Sequence, residues 1–298
     1  MTAETSGRTV TIILLSAGLI FIGNGILQTM LPMRAELEGF STSWIGLLGT
    51  SYFCGFIAGC FLGPPLIRSV GHIRASAGVV AVLAALVLVF PIWVSEFSWI
   101  GLRFLTGLCL AVVLMAVESW LNDQATNTTR GRIISLYIII TNAGWVIGQL
   151  GVNLADLLAP TLFLLIAIAI CLSIAPVALT PTREPTPVPG AGLDLAGLFR
   201  LSPVGTVGCF IVGTAEGAFW SFAPLFGQLR GLEVFQTTLL MGAFVLGGTL
   251  SQWPIGMASD RVDRRLIILP VTLATVFSGF SIAALDDPSM SLLLTLAL

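Results

Sequence analysis

Two charged residues stand deep inside long apolar runs, Arg103 within residues 97–119 and Glu216 within residues 204–226. A charge at that depth in a bilayer costs roughly 2.5–3.5 kcal/mol on insertion scales, so a retained one faces a partner, a cavity or a substrate. Helical rise puts Arg103 ~9 Å and Glu216 ~12 Å from the same outer edge, so the two share a depth. A carboxylate in such a setting can take up and release a proton, and a neighbouring guanidinium favours its ionised form. The pair could therefore couple proton movement to that of a substrate. A permanent structural ion pair, or an arginine that snorkels to the surface, is the competing reading. Amides accompany the charges. Asn24 and Gln28 share a face at i, i+4. Asn142, Gln149 and Asn153 fall within ~40° of one another at about 100° per residue, with Gly144, Gly148 and Gly151 on the opposite side. One helix thus carries a smooth packing face and a polar face, and hydrogen bonds between helices would explain that polar stripe equally well.

Other chemistry is poorly provided for. His72 is the sole histidine, and Cys54, Cys60, Cys109, Cys171 and Cys209 sit singly in apolar runs. No metal site, disulfide framework or serine-histidine triad follows from such a set, and no cofactor is implied. The chain holds no Gly-x-Ser-x-Gly, His-Glu-x-x-His or phosphate-cradling glycine loop, so an enzyme is not expected. A formal charge of -2 leaves no basic face for nucleic acid.

The elements that must position these residues are membrane spans. With 56% hydrophobic and 9% charged residues in 298, the chain needs lipid, since charged residues make up about a quarter of a soluble domain. Apolar stretches long enough to span lie near 10–31, 44–66, 74–94, 97–119, 133–155 and 159–180, then 204–226, 236–258 and 266–285. A further run over 289–298 is too short to cross as a helix. Residues 181–203, with Pro181, Pro185, Pro187, Pro189 and Pro203, form a linker whose later part, 193–201, can make a short interfacial helix. All basic residues are arginine. With the N-terminus inside, one face collects Arg8, Arg68, Arg74, Arg130, Arg132, Arg183, Arg200, Arg261, Arg264 and Arg265, against Arg34 and Arg230 on the other. The N-terminus and linker are therefore expected to be cytoplasmic, in a multi-pass protein of the cell inner (plasma) membrane. A shift of 192 residues lays Leu47, Leu48 and Gly55 on Leu239, Leu240 and Gly247, which suggests an internal repeat.

Three stretches carry a family resemblance. Gly256-Met-Ala-Ser-Asp260-Arg261-Val-Asp263-Arg264-Arg265 resembles the signature of major facilitator superfamily transporters, with Asp263 where glycine is usual. Arg103-Phe-Leu-Thr106-Gly107 is similar to the family's fourth-span motif, and Gly144, Gly148 and Gly151 resemble part of its antiporter motif, with Gln149 where proline is usual. The loop of residues 63–74 departs from the signature, with Arg68 in the aspartate position.

The resemblance implies an all-α membrane protein of two helical bundles. The first, residues 1–180, would be a complete six-helix bundle. The second, residues 204–298, would be incomplete, as if truncated in the tenth transmembrane helix. Residues 181–203 would join them. It also implies a secondary transporter of a small organic solute working by alternating access, with the bilayer, the solute and protons as partners. The glycine-rich fifth span tilts this toward efflux; an uptake symporter, or a non-transporting receptor or scaffold on the same fold, is the alternative. Asn24, Gln28, Arg103, Asn142, Gln149 and Glu216 are then the substrate and proton-coupling candidates. Gly256, Asp260, Arg261, Arg264 and Arg265 would form a cytoplasmic gate, and no residue would be catalytic or bind metal.

Overall fold

A computed structural model of the chain describes residues 3–126, 129–178, 195–259 and 261–284. Among them all regular structure is helical: α1 (Ala3–Leu37), α2 (Thr42–Val70), α3 (His72–Val89), α4 (Glu96–Gln124), α5 (Arg130–Gly151), α6 (Thr161–Ala178), α7 (Leu195–Leu201), α8 (Pro203–Leu229), α9 (Val234–Ser259) and α10 (Arg264–Ala284). Eight of these are long and apolar enough to cross a bilayer. The sixth expected span, 159–180, is the 18-residue α6, which rises about 27 Å.

Local chemistry sets the ends. Ser95 caps α4 by accepting from the Ser98 amide at 3.2 Å, and Ser202 caps α8 by accepting from the Gly205 amide at the same distance. Pro203 opens α8, where its missing N–H has no partner to lose. Between α2 and α3 the chain turns at Gly71, whose φ of 88° suits glycine alone. The short α7 falls where the interfacial helix is expected. The run over 289–298, most of the linker and Asp260 lie outside the described residues.

Helices α1 to α6 form one bundle, and α8 and α9 lie against it. The end at which α1 begins is here the proximal end; the other is distal. Glycines permit the tight crossings. A Cβ at Gly25 of α1 would lie 2.7 Å from the Trp145 carbonyl oxygen of α5, and one at Gly144 of α5 would lie 2.8 Å from the Gly18 carbonyl oxygen of α1. Gly55, Gly59 and Gly107 do the same between α2 and α4.

The boundary of α1 departs from expectation. Its helix runs seven residues further at the proximal end and continues to Leu37, so Arg34 is not in a distal loop. Arg34 is buried in the last turn of α1, donating to the Leu157 and Ala159 carbonyls at 3.2 Å each and pairing with Glu38 at 3.1 Å. It clamps α1 to the connection between α5 and α6. An arginine count over loops cannot see this, because the helix outlasts the apolar run that marks it.

Candidate functional site

Arg103 is placed by glycine. Gly107, one turn along α4, and Gly55 on α2 bring the two backbones together, so the Arg103 side chain, leaning toward the start of its helix, reaches α2 and α1. It is 4% exposed. Its Nη2 donates to Gln28 Oε1 in a short hydrogen bond, and its guanidinium carbon lies 4.5 Å over the Tyr52 ring. Asn24 stands one turn before Gln28 on α1. Arg103 Nε and Nη1 and Asn24 Nδ2 have no hydrogen-bond partner among the described residues. All three are donors. The cluster of Asn24, Gln28, Tyr52 and Arg103 is thus a buried, donor-rich centre suited to a group with hydrogen-bond acceptors.

Tyr52 was not among the sequence candidates. Its signal was available: it is one of two tyrosines, and a phenol in mid-span requires a polar partner when buried.

Glu216 is not joined to Arg103. Its neighbour Gly217 packs on Phe53, beside Tyr52, so the depths are similar. Yet Arg103 is turned into its own bundle toward Gln28, while Glu216 is exposed and has no ion pair among the described residues. Arg103 belongs to a helix packed against α2, α3 and α1, whereas α8 packs mainly against α1 and α2 of the first bundle and meets α5 through Trp220 on Trp145.

The two faces of α5 separate cleanly. Gly144 and Gly148 abut the α1 backbone, and Gly151 meets Ile26. On the other side Asn142 donates to Thr249 of α9 at 2.8 Å, and Asn153, in the 3-10 turn just past α5, donates to Thr238 of α9 at 3.0 Å. Gln149, fully buried between them, points its Oε1 toward Gly242 of α9 with neither amide atom bonded among the described residues.

An aromatic layer bridges four helices at mid-depth. The Phe21 and Trp145 rings are 5.9 Å apart, Trp145 stacks on Trp220 at 4.8 Å, and Phe219 stacks on Phe244 at 3.8 Å. Distal to it, Gln228 donates to the Met33 carbonyl at 3.3 Å, and Gly46 and Gly49 accommodate Phe222 and Ser221. Proximal to it, residues 207–216 of α8 and 252–258 of α9 are largely exposed. α8 and α9 therefore meet the first bundle in their distal and middle parts, while their proximal parts are largely exposed, Glu216 among them.

Of the gate motif, Gly256 is exposed near the end of α9, Arg261 is exposed just beyond it, and Arg264 and Arg265 begin α10. The acid of the motif, Asp260, lies outside the described residues. At the proximal ends of α4 and α5 a cleft of about 270 Å³ is lined by Glu118, Asn122 and Tyr137, with the Tyr137 hydroxyl donating to Glu118 at 3.2 Å.

Comparison with known proteins agrees with this architecture. The family model described as Major Facilitator Superfamily matches residues 13–298. The uncharacterized MFS-type transporter YcaD of Escherichia fergusonii is 28% identical over 286 residues, covering 95% of this chain and 74% of that protein. YcaD of Escherichia coli O45:K1 is 28% identical over 294 residues, covering 97% and 75%. Among solved structures, a mutant of the nucleoside transporter NupG superposes with a TM-score of 0.80 at 13% identity, covering 97% of this chain and 78% of that one. A bacterial homologue of the lysosomal transporter Spinster, in an inward-facing and occupied conformation, gives 0.76 at 16% identity, covering 100% and 72%. These identities speak for the fold alone.

Proposed function

The chain belongs to the Major Facilitator Superfamily, and from that premise we propose that it moves a small organic solute by alternating access, coupled to protons and in the direction of efflux. The observation that carries this reading is how α8 and α9 sit on the first bundle: joined to it distally by Gln228 on Met33 and at mid-depth by rings, but exposed in their proximal parts, where Glu216 has no ion pair among the described residues. A carrier needs a gap between its two sets of helices, reached from one side at a time. The arginine asymmetry supports a cytoplasmic proximal side, and the exposed proximal parts then fit an inward-facing arrangement, the one in which one of the similar structures is described.

Roles follow from chemistry. Arg103, Gln28 and Asn24 offer donors to acceptor atoms of the solute. Glu216 carries the proton, exchanging it against the solute as the gap opens. Asn142 and Gln149 sit on the α5 face that meets α9 and steady the crossing about which the two sets rock. Gly256, Asp260, Arg261, Arg264 and Arg265 latch the cytoplasmic side when the outside is open. Residues 1–180 and 204–298 act as the two moving bodies, with 181–203 as the cytoplasmic tether.

The test is reconstitution of the full chain into proteoliposomes holding a pH-sensitive dye. Addition of solutes from a panel of small organic compounds should move protons in the wild type and not in Glu216→Gln. Solute flux with no accompanying proton movement would refute the coupling, and the absence of any flux across the panel would refute the carrier reading.

A further inference from the structure

Two polar groups in the core of the first bundle, Ser16 Oγ of α1 and Trp120 Nε1 of α4, have no hydrogen-bond partner among the described residues. Each residue is 3% exposed. A serine inside a helix usually returns its hydroxyl to a carbonyl one turn back, as Ser173 of α6 does by donating to the Ile170 carbonyl at 2.6 Å. A buried indole N–H ordinarily finds an acceptor too, and that of Trp99 donates to the Phe90 carbonyl at 3.1 Å. Ser16 and Trp120 break both habits in one place. They line the same cavity, together with Ser76 of α3 and Ser173, and the rest of its wall is isoleucine and valine. It lies toward the proximal end, where α3 begins and α4 and α6 finish.

Size and chemistry select one occupant. The cavity measures about 20 Å³, and a single water needs roughly 10–15 Å³ by the same measure. The indole N–H of Trp120 can only donate, Ser173 has committed its proton to Ile170 and can only accept, and the Ser16 and Ser76 hydroxyls can do either. A molecule between them must therefore both accept and donate, which neither a metal cation nor a halide can do. We infer that Ser16, Ser76, Trp120 and Ser173 hold one structural water, which ties α1, α3, α4 and α6 together in the proximal half of the first bundle. Surrounding lipid offers nothing to satisfy a buried polar group, so its partner has to be carried inside the protein. The site lies within one bundle and holds its water whether or not the chain carries a solute.

Thermal midpoints of the full chain in detergent test this, for Ser16→Ala, Ser173→Ala and the double variant. Alanine is the better helix former and removes an unpaired hydroxyl from a dry cavity, so without the water Ser16→Ala raises the midpoint. With the water it lowers the midpoint by about 2–4 °C, the shift that one lost hydrogen bond brings in a chain of this size. Ser173→Ala should lower it as well, and the double variant should fall short of the sum of the two, because either change loosens the same water. The direct measurement is a density map fine enough to show ordered water, which should hold a peak within hydrogen-bond distance of both Ser16 Oγ and Trp120 Nε1. A midpoint that rises or stays unchanged in Ser16→Ala overturns the inference, as do additive effects of the two serines. So does a map that shows water elsewhere in the protein interior and none at this position.

Discussion

Gly25 lies where α1 crosses α5, and a Cβ there would sit 2.7 Å from the Trp145 carbonyl oxygen and 3.2 Å from the Gly148 Cα. Both obstacles are backbone and cannot swing aside. A relaxed C–H···O contact needs ~3.3–3.6 Å, so Gly25→Val must push the helices apart by roughly 0.6–0.9 Å. A gap of that size forfeits about a quarter to a half of each dispersion contact at the crossing. With about 20 atom pairs at ~0.1–0.2 kcal/mol, half the number one buried leucine makes, the loss is about 0.5–2 kcal/mol. The further methyls of valine raise this into the ~1–3 kcal/mol typical of overpacking. The thermal midpoint of the detergent-solubilised chain should fall by about 2–12 °C, at ~2–4 °C per kcal/mol. Gly78 supplies the control, since nothing lies within 4 Å of a Cβ built there in α3. Gly78→Ala should raise the midpoint, by the roughly 0.5–1 kcal/mol that alanine gains over glycine inside a helix. A Gly25→Val midpoint equal to that of the wild type, or a Gly78→Ala midpoint that falls as far as Gly25→Val, would refute the crossing geometry.

Replacing Arg103 with lysine keeps the charge but not the fork that lies over Tyr52 while donating to Gln28. Losing one charge-assisted hydrogen bond, about 1.5–3 kcal/mol, should cut solute-dependent proton flux by roughly tenfold or more, while the chain still elutes as a single species by size-exclusion chromatography. Arg34→Met leaves the Leu157 and Ala159 carbonyls without their donor and should cost about 1.5–3 kcal/mol of stability, read as a lower unfolding midpoint with insertion unchanged. Asn142→Ala and Thr249→Val should show a coupling of about 0.6 kcal/mol in a double-mutant cycle, the average for hydrogen bonds between membrane helices; additive effects would mean the pair does not hold α5 to α9.

The spans were legible because an apolar run of span length has few other uses in a chain with 9% charged residues. The division of α5 was legible too, since 3.6-residue periodicity sorts Gly144 and Gly148 from Asn142 and Asn153 without knowledge of neighbours. What each face would meet was not, because partners lie on other helices. Helical rise puts Arg103 and Glu216 at similar depth, but depth is one coordinate. The direction in which Arg103 points depends on the approach of α2 at Gly55 and Gly107, which a single sequence does not declare. The aromatic layer was invisible for the same reason, its rings coming from α1, α5, α8 and α9. Arg34 stays at the distal end but on the last turn of α1 rather than in a loop, because α1 continues as helix beyond its apolar run, with Arg34 itself buried by its hydrogen bonds to the connection between α5 and α6.

Alternating access makes a reciprocal demand on the two ends of the molecule. Spin labels at Arg132 of α5 and Met257 of α9 report the proximal gap, and labels at Leu37 of α1 and Leu229 of α8 report the distal closure; all four positions are exposed. Distance distributions measured in nanodiscs across a range of pH should contain two populations at each end. Whatever shortens the proximal distance should lengthen the distal one in the same proportion of molecules. A single distance at each end that no change of pH moves, or two ends that open together, would contradict the account of this chain as an alternating-access carrier.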